Sequence, residues 1–404
     1  MLTNIAWRNI WRNRSRSLVI IGAIIIGIWA LSFLNSWMQG MGEMYVADII
    51  DNQTSHIQIH EEAFLKEIKS EFVIPNSPEV ISKLERIQGI ESMSARIITN
   101  GIVIAPRVSK GVLIRAVNPK DEAEVVNLNN KIQEGDYFND KKRNPIIIGE
   151  SLAEKLKIKV GKKISLQYQD MDGELTAQVY RIVGLYSSGN SKLDEGIVYV
   201  RTQDFSPVFK NNGNVHEIAL RVNNFEETKT IAKGLSVTFD KLTVQHYEQV
   251  MPMIKLFDTQ FKTTGSIITT IVMIALIFGI INTMLMAVLE RVKELGVLMA
   301  VGMNRIKVFG MIVIETIFLS LVGLPVGILL GFITVTYLNK TGIDLSSYES
   351  ALSDFGMSSI IYPALDPAFF ISISISVFFT ALLASLYPAF KATRLKPIEA
   401  INKI

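Results

Sequence analysis

Two histidines stand four residues apart in SHIQIH, residues 55–60. In an extended strand an even spacing puts His56 and His60 on one face, which is half of what a metal site needs. No third histidine or cysteine lies near them in the sequence, so satisfied strand histidines are expected and no metal is. The chain has no cysteine, which removes disulfides and thiolate chemistry. GLYSSGNS (184–191) has the glycine spacing of a phosphate-binding loop. That motif needs a lysine to reach the β- and γ-phosphates, and Asn190 stands in its place. A Gly/Ser turn after a strand is the expectation there. No Ser-His-Asp order emerges from the scattered polar residues, so this chain is not expected to be an enzyme or to hold a cofactor.

Two other features carry charge where it is costly. Glu315 lies roughly 12 Å into an otherwise uncharged apolar run, at about 1.5 Å per helical residue. A carboxylate there reads as a proton relay or a buried ion pair. Without a second acid inside the apolar runs, an ion pair with Arg or Lys of a neighbouring helix is expected. The stretch ERVKELGVLMAVGMNRIKV (290–308) carries Glu290, Arg291, Lys293, Glu294, Arg305 and Lys307 between two apolar segments. Val292, Leu295 and Met299 recur at i, i+3 and i+7 as an apolar ridge, and Glu290, Lys293 and Glu294 flank it. Gly296 and Gly302 permit close backbone approach or a turn. The pattern fits a docking helix, and it equally fits an interfacial loop whose basic residues set topology.

These features sit among segments built for a membrane. The chain has 404 residues, 49% of them hydrophobic, above the usual globular share. Segments 18–38, 266–289, 308–337 and 368–389 each meet the need for about 20 mostly apolar residues across a hydrocarbon core of roughly 30 Å. The first is too long for a signal-peptide core and lacks a clear cleavage site, so it is expected to remain. Basic residues gather at 1–17 (Arg8, Arg12, Arg14, Arg16), at 290–307, and in the tail 390–404 (Lys391, Arg394, Lys396, Lys403). The loop 338–367 offers Lys340 against Asp344, Glu349, Asp354 and Asp366. The positive-inside rule then places both termini and the link in the cytoplasm, and residues 39–265 outside. The net charge of +3 follows from this asymmetry, and nucleic-acid binding is not indicated.

Between the first two spans the pattern turns to alternation. SHIQIH, GVLIRAV (111–117), ISLQYQ (164–169) and AQVYRIV (177–183) read as strands. SPEVISKLERI (77–87) reads as a helix with Ser77 as N-cap and Pro78 at its first position. FEETKTIAKGL (225–235) reads as a second helix, and QDMDGEL (169–175) as a hairpin tip turning on Gly173. An α+β domain with a strand-rich insertion near 133–201 is expected. Met38, Met41, Tyr45 and Ile49 after the first span, and Val250, Met253, Ile254, Phe257 and Phe261 before the second, recur at helical spacing as stalks. Pro252 belongs near the start of the second stalk. The expected fold class is a membrane protein of four transmembrane α-helices with a large α+β extracytoplasmic, periplasmic domain inserted between helices 1 and 2.

The link ERVKELGVLMAVGMNRIKVFGMIVIE resembles the cytoplasmic segment between the second and third spans of type VII ABC transporter permeases, the group of MacB, FtsX, LolC and LolE. AWRNIWRNRSRS is similar to that family's amphipathic N-terminus. IIIGESLAEKLKIKVGKKISL, YRIVGLYSSG and DEGIVYV are similar to its inserted subdomain, and YPAFKATRLKPIEAI to its tail. The HIQIH stretch leans toward the lipoprotein-releasing branch.

The resemblance implies a bacterial inner-membrane permease driven by a separate cytoplasmic ATPase dimer, which binds the ATP and Mg. It implies a second permease subunit, identical or different, and a periplasmic carrier or adaptor. Glu290, Arg291, Val292, Lys293, Glu294, Leu295, Gly296, Met299 and Gly302 become the ATPase-coupling segment. A lipid-accessible cavity between the first two spans is implied, with Trp29, Phe33, Trp37, Phe257, Phe261 and Ile268 as candidates for its lining. Release of lipoprotein or another hydrophobic substrate, switching of a cell-wall hydrolase as by FtsX, and efflux as by MacB remain open, as does any hook role for 169–175.

Overall fold

The structure, a computed structural model, describes residues 2–12, 14–139, 143–348, 351–352 and 359–394. Glu349, Asp354, Lys396, Lys403 and the side chain of Arg16 lie outside the described residues. The chain divides into two units: residues 1–43, 259–343 and 361–404, and residues 44–258 with 344–360.

Among the described residues, four helices are long and apolar enough to cross a membrane. Span one is Arg14–Ile49, span two Met253–Glu290, span three Arg305–Thr341 and span four Pro367–Thr393. At 36 residues span one is about 54 Å long by helical rise, well beyond a hydrocarbon core. Before it lies an N-terminal helix, Leu2–Arg12, and between spans two and three a link helix, Val292–Ala300.

Span one turns Ile20, Ile24, Ile28 and Leu31 inward at helical spacing, onto a core with Leu276 and Ile280 of span two, Met311 and Leu319 of span three, and Val377 and Ala384 of span four. Glycines let span three close on span one. A Cβ on Gly327 would lie 2.9 Å from Cβ of Ile28, and one on Gly331 2.7 Å from Cβ of Ser32. Only bare backbone fits at such a crossing. Span three stays helical through Pro325. Asn304 and Asp366 cap spans three and four, their side chains accepting from the amides of Ile306 (3.3 Å) and Ala368 (2.9 Å).

Among the described residues, the main sheet of the second unit has ten strands: β1 Ile57–His60, β2 Ile90–Ile104, β3 Ser109–Val117, β4 Ile132–Gly135, β5 Pro145–Gly149, β6 Lys163–Gln169, β7 Leu175–Tyr186, β8 Ile197–Arg201, β9 Glu217–Val222 and β10 Thr243–His246. The first half of β2 pairs with β9 and extends a sheet ordered β10-β1-β9-β2. Its second half pairs with β3 on one side and, over Gly101–Ile104, with β6 on the other. The ladders β3–β8, β8–β5, β5–β7 and β7–β6 then close a ring with β2. A Cβ on Gly101 would stand 2.5 Å from Cδ1 of Ile114 and 3.0 Å from the Gln167 carbonyl oxygen, which explains glycine where β2 gains its second partner. The strand-rich portion therefore begins well before residue 133, because it shares β2 with the outer sheet and takes in β3.

Arg96 sits where β2 changes partners, its side chain fully buried. Nε donates to Glu122 at 2.9 Å and Nη1 to Glu217 at 2.7 Å. Burial opposes the guanidinium charge, and the two carboxylates more than offset it, raising its pKa.

Helix starts depart from expectation at two points. Ser77 is the first helical residue of Ser77–Leu84, and Asn76, at φ 52°, precedes it as the cap residue. The Ser77 hydroxyl donates to the Ile74 carbonyl (2.6 Å) and accepts from the Val215 amide (2.9 Å), so it ties a bridge between chain segments and does not cap. The second expected helix opens as a 3₁₀ turn, Phe225–Glu227, before Thr228–Thr238. Pro252 immediately precedes span two.

Residues beyond the apolar part of span one stay helical to Ile49 and end in a π-turn, Ile50–Thr54. Tyr45 meets Phe257 with ring centroids 4.7 Å apart, inside a small core with Ile49, Ile50, Tyr247 and Ile254. Three cations converge on the π-turn. Lys131 Nζ donates to the Asp51 carbonyl (2.8 Å) and to Asn52 Oδ1 (2.6 Å). Arg115 reaches the Asn52 carbonyl at 3.4 Å, and Arg221 the Asp51 carboxylate at 3.5 Å. Positive charge belongs at a helix C-terminus, where unpaired carbonyls concentrate negative charge. Burial pushes the Lys131 amine down to about 8.

Candidate functional site

The link helix is held in place by the N-terminal helix and span three. Arg291 Nη1 donates to both carboxylate oxygens of Glu315, at 3.0 and 3.2 Å, and Nη2 donates to the Asn9 carbonyl at 3.0 Å. The pair is nearly buried, with side chains 12% and 8% exposed. Glu315 thus has the basic partner expected of it, and that partner comes from the link. Glu294 pairs with Arg12 of the N-terminal helix. Ala6 and Ile10 of that helix enter the core shared by the spans. The Ser17 hydroxyl donates to the Ile10 carbonyl at 2.6 Å and secures the turn into span one.

This arrangement corrects the orientation expected of the link. Val292 and Leu295 are buried, as is Gly296, and Met299 packs on the same core. The ridge at i, i+3 and i+7 therefore faces the protein's own bundle, because a short amphipathic helix lying on a bundle buries its most continuous apolar stripe. Arg291 likewise points inward. The outward face is formed by Glu290, Lys293, Glu294, Val297, Ala300 and Val301, with Ile306 at the start of span three. Val297, Val301 and Ile306 are 50%, 84% and 76% exposed. Gly302, at φ +104°, makes the turn between the link helix and span three, a conformation that disfavours any side chain. Residue types alone missed Val297, Val301 and Ile306. The available signal was a second stripe, Lys293–Val297–Val301, at i and i+4.

The proposed cavity residues fall into separate contacts. Trp29 is exposed and its Nε1 donates to Thr334 Oγ1 of span three at 3.0 Å. The rings of Phe33 and Trp37 lie 5.9 Å apart. Phe261 lies beside Gly42, where an added Cβ would meet its ring at 3.5 Å. Ile268 is half-buried on span two, and Phe257 packs on Tyr45.

The other chemistry-bearing residues serve the outer domain's architecture. His56 Nδ1 accepts from the Val222 amide at 3.0 Å, and the His60 ring lies between the Glu61 carbonyl and Gln245 Oε1. In GLYSSGNS the place of an anion is taken by the chain's own Asp194. Its carboxylate accepts from the Ser188 amide (3.0 and 3.2 Å) and from the Ser187 hydroxyl (3.4 Å). Burial raises the Asp194 carboxyl to about 6, against the pull of those donors. Asn190, in the motif's lysine position, caps Ser191–Gly196 by accepting from the Lys192 and Leu193 amides. At the 169–175 hairpin, Gly173 adopts φ +82°. Asp170 accepts from the Asp172 and Glu174 amides, and Lys210 pairs with Asp170 (3.0 Å) and Asp172 (2.6 Å).

Two family models account for most of the chain. The MacB-like periplasmic core domain matches residues 17–236, and the FtsX-like permease C-terminal matches residues 266–397. The chain belongs to the type VII ABC transporter permease family. The permease is 23% identical to an uncharacterized ABC transporter permease of Methanocaldococcus jannaschii, over 98% of this chain and 96% of that one. It is 22% identical to the lipoprotein-releasing system transmembrane protein LolC of Neisseria meningitidis, over 96% and 94%. With the macrolide export ATP-binding/permease protein MacB of Photorhabdus laumondii it shares 24% identity over 98% of this chain and 60% of that protein. The permease is a multi-pass membrane protein whose MacB-like core domain follows the first membrane helix.

Proposed function

We propose that the permease is an inner-membrane subunit of an ATP-driven machine that releases lipoprotein or another hydrophobic substrate from the membrane to the periplasm. The observation that carries this reading is the likeness to LolC along nearly the full length of both chains. A separate cytoplasmic ABC ATPase dimer, holding ATP and Mg, docks on the outward face of the link, and the termini lie on that same side. Lys293, Val297, Val301 and Ile306 supply an exposed apolar patch with a charged rim, the composition of a protein interface. Arg291, Glu315 and Asn9 brace the link from behind, so force applied to its outer face reaches span three and the N-terminal helix directly. A second permease subunit completes the transporter, and a periplasmic carrier or adaptor receives the cargo. Macrolide-type efflux through an adaptor and FtsX-like control of a cell-wall hydrolase are the competing readings.

Cargo distinguishes them. Purification of the permease with its ATPase, followed by mass spectrometry of bound molecules and ATPase assays with acylated and deacylated lipoprotein, is expected to recover acylated protein and to show stimulation by the acylated form alone. Recovery of no acylated or hydrophobic ligand, with ATPase activity indifferent to lipoprotein, would overturn the reading.

A further inference from the structure

The N-terminal helix has two faces. Ala6 and Ile10 enter the bundle, whereas Trp7 and Trp11, one turn apart, remain 45% and 43% exposed with rings 6.0 Å from each other. Arg8 lies between them on the exposed side, and Arg14 follows at the start of span one, also exposed. No ion pair joins Arg8 or Arg14 to an acid among the described residues, whereas Arg12 is engaged by Glu294.

Water alone does not suit this face, because two half-exposed indoles side by side leave a large apolar patch uncovered. A protein partner would have to bring carboxylates for both arginines. A leaflet of anionic lipid meets both needs at once: indoles settle at the headgroup level and guanidinium groups bind phosphate bidentately. The face also borders apolar side chains of span three. Trp7 meets Phe318 of span three edge-on at 5.6 Å, and Leu321, the next turn of that span, is half-exposed, as are Leu18 and Val19 just inside span one.

We propose that the exposed face of the N-terminal helix is an anionic-phospholipid contact site, in which Trp7 and Trp11 anchor at the headgroup level and Arg8 and Arg14 hold lipid phosphates. The site selects lipid by charge, so its occupancy follows the anionic content of the cytoplasmic leaflet and falls with salt.

The absence of cysteine makes one engineered cysteine a clean reporter, and Asn4 lies on the exposed face beside Trp7, Arg8 and Trp11. The full-length Asn4→Cys permease carries a fluorophore at that position in nanodiscs of mixed phosphatidylcholine and phosphatidylglycerol. Quenching by nitroxide-labelled phosphatidylglycerol is compared with quenching by equally labelled phosphatidylcholine. The labelled anionic lipid is expected to quench more strongly, with local enrichment of about fivefold per arginine at low salt. Arg8→Gln with Arg14→Gln should abolish the preference, and Arg8→Lys with Arg14→Lys should keep it, which separates loss of charge from loss of fold. Equal quenching by the two lipids, or a preference that survives the glutamine pair, would overturn the proposal.

Discussion

Arg291 and Glu315, from the link and span three, form a two-pronged ion pair at 3.0 and 3.2 Å, and the same arginine holds the carbonyl of Asn9. Removing one partner takes a counter-charge away from a nearly buried ionised group in a site of low dielectric. Arg291→Met or Glu315→Leu alone should cost about 3–5 kcal/mol, whereas the double substitution should cost much less, because it removes both desolvation penalties together. Thermal unfolding of the four proteins in detergent gives the coupling energy. Independent, additive losses would mean that the pair does not brace the link.

Spans one and three meet through glycine. Gly327→Leu places a branched side chain where even Cβ would come within 2.9 Å of Ile28 Cβ. Overpacking of that kind is expected to lower stability by about 1–3 kcal/mol. Gly22, with nothing within 4 Å of a Cβ, should accept alanine with little change, and the two variants are read out together in one unfolding series.

His216 gives the outer domain an acid-sensitive point. Its Nδ1 accepts from the Ile98 amide at 3.2 Å, so Nε2 carries the proton and faces the Ser70 carbonyl at 3.2 Å. Burial lowers its pKa from 6.5 to about 4. The unfolded chain binds a proton between those values that the folded chain refuses. Stability complete above about pH 6.5 is therefore lost as pH falls toward 4, by up to about 3 kcal/mol. The stability profile of His216→Gln should be flatter across that window, measured by denaturant unfolding at stepped pH.

Asp194 holds the 187–190 turn from inside. Asp194→Ala should free the Ser188 amide and cost about 1–3 kcal/mol, the price of an unmade buried hydrogen bond. Hydrogen exchange at Ser188 is the direct readout, and it should quicken well before the domain unfolds.

The four spans were legible in the sequence because so long an uncharged apolar run suits a bilayer and little else, and the alternation of 164–169 and 177–183 marked β6 and β7 correctly. The sharing of β2 between two sheets was hidden, since a strand's two edges leave no trace in its side-chain alternation. At the link, the strongest apolar stripe was visible and its direction was not. Periodicity identifies a buried face without naming what buries it, and here the bundle claims Val292 and Leu295. The partner of Glu315 was legible as a type, an arginine or lysine of a neighbouring segment. Its identity as Arg291, one residue before the link helix, depends on how that helix folds back, and so does the part played by Asn9.

The outward face of the link is tested most directly by the affinity of the reconstituted permease for its ATPase, with the outward and inward faces altered separately. Val297→Asp with Val301→Asp should weaken binding at least about tenfold, as loss of central apolar contacts does, while thermal stability stays near that of the parent protein. Val292→Ala should instead lower stability and leave affinity nearly unchanged. Undiminished affinity in the Val297→Asp, Val301→Asp permease would contradict the claim that this face carries the motor.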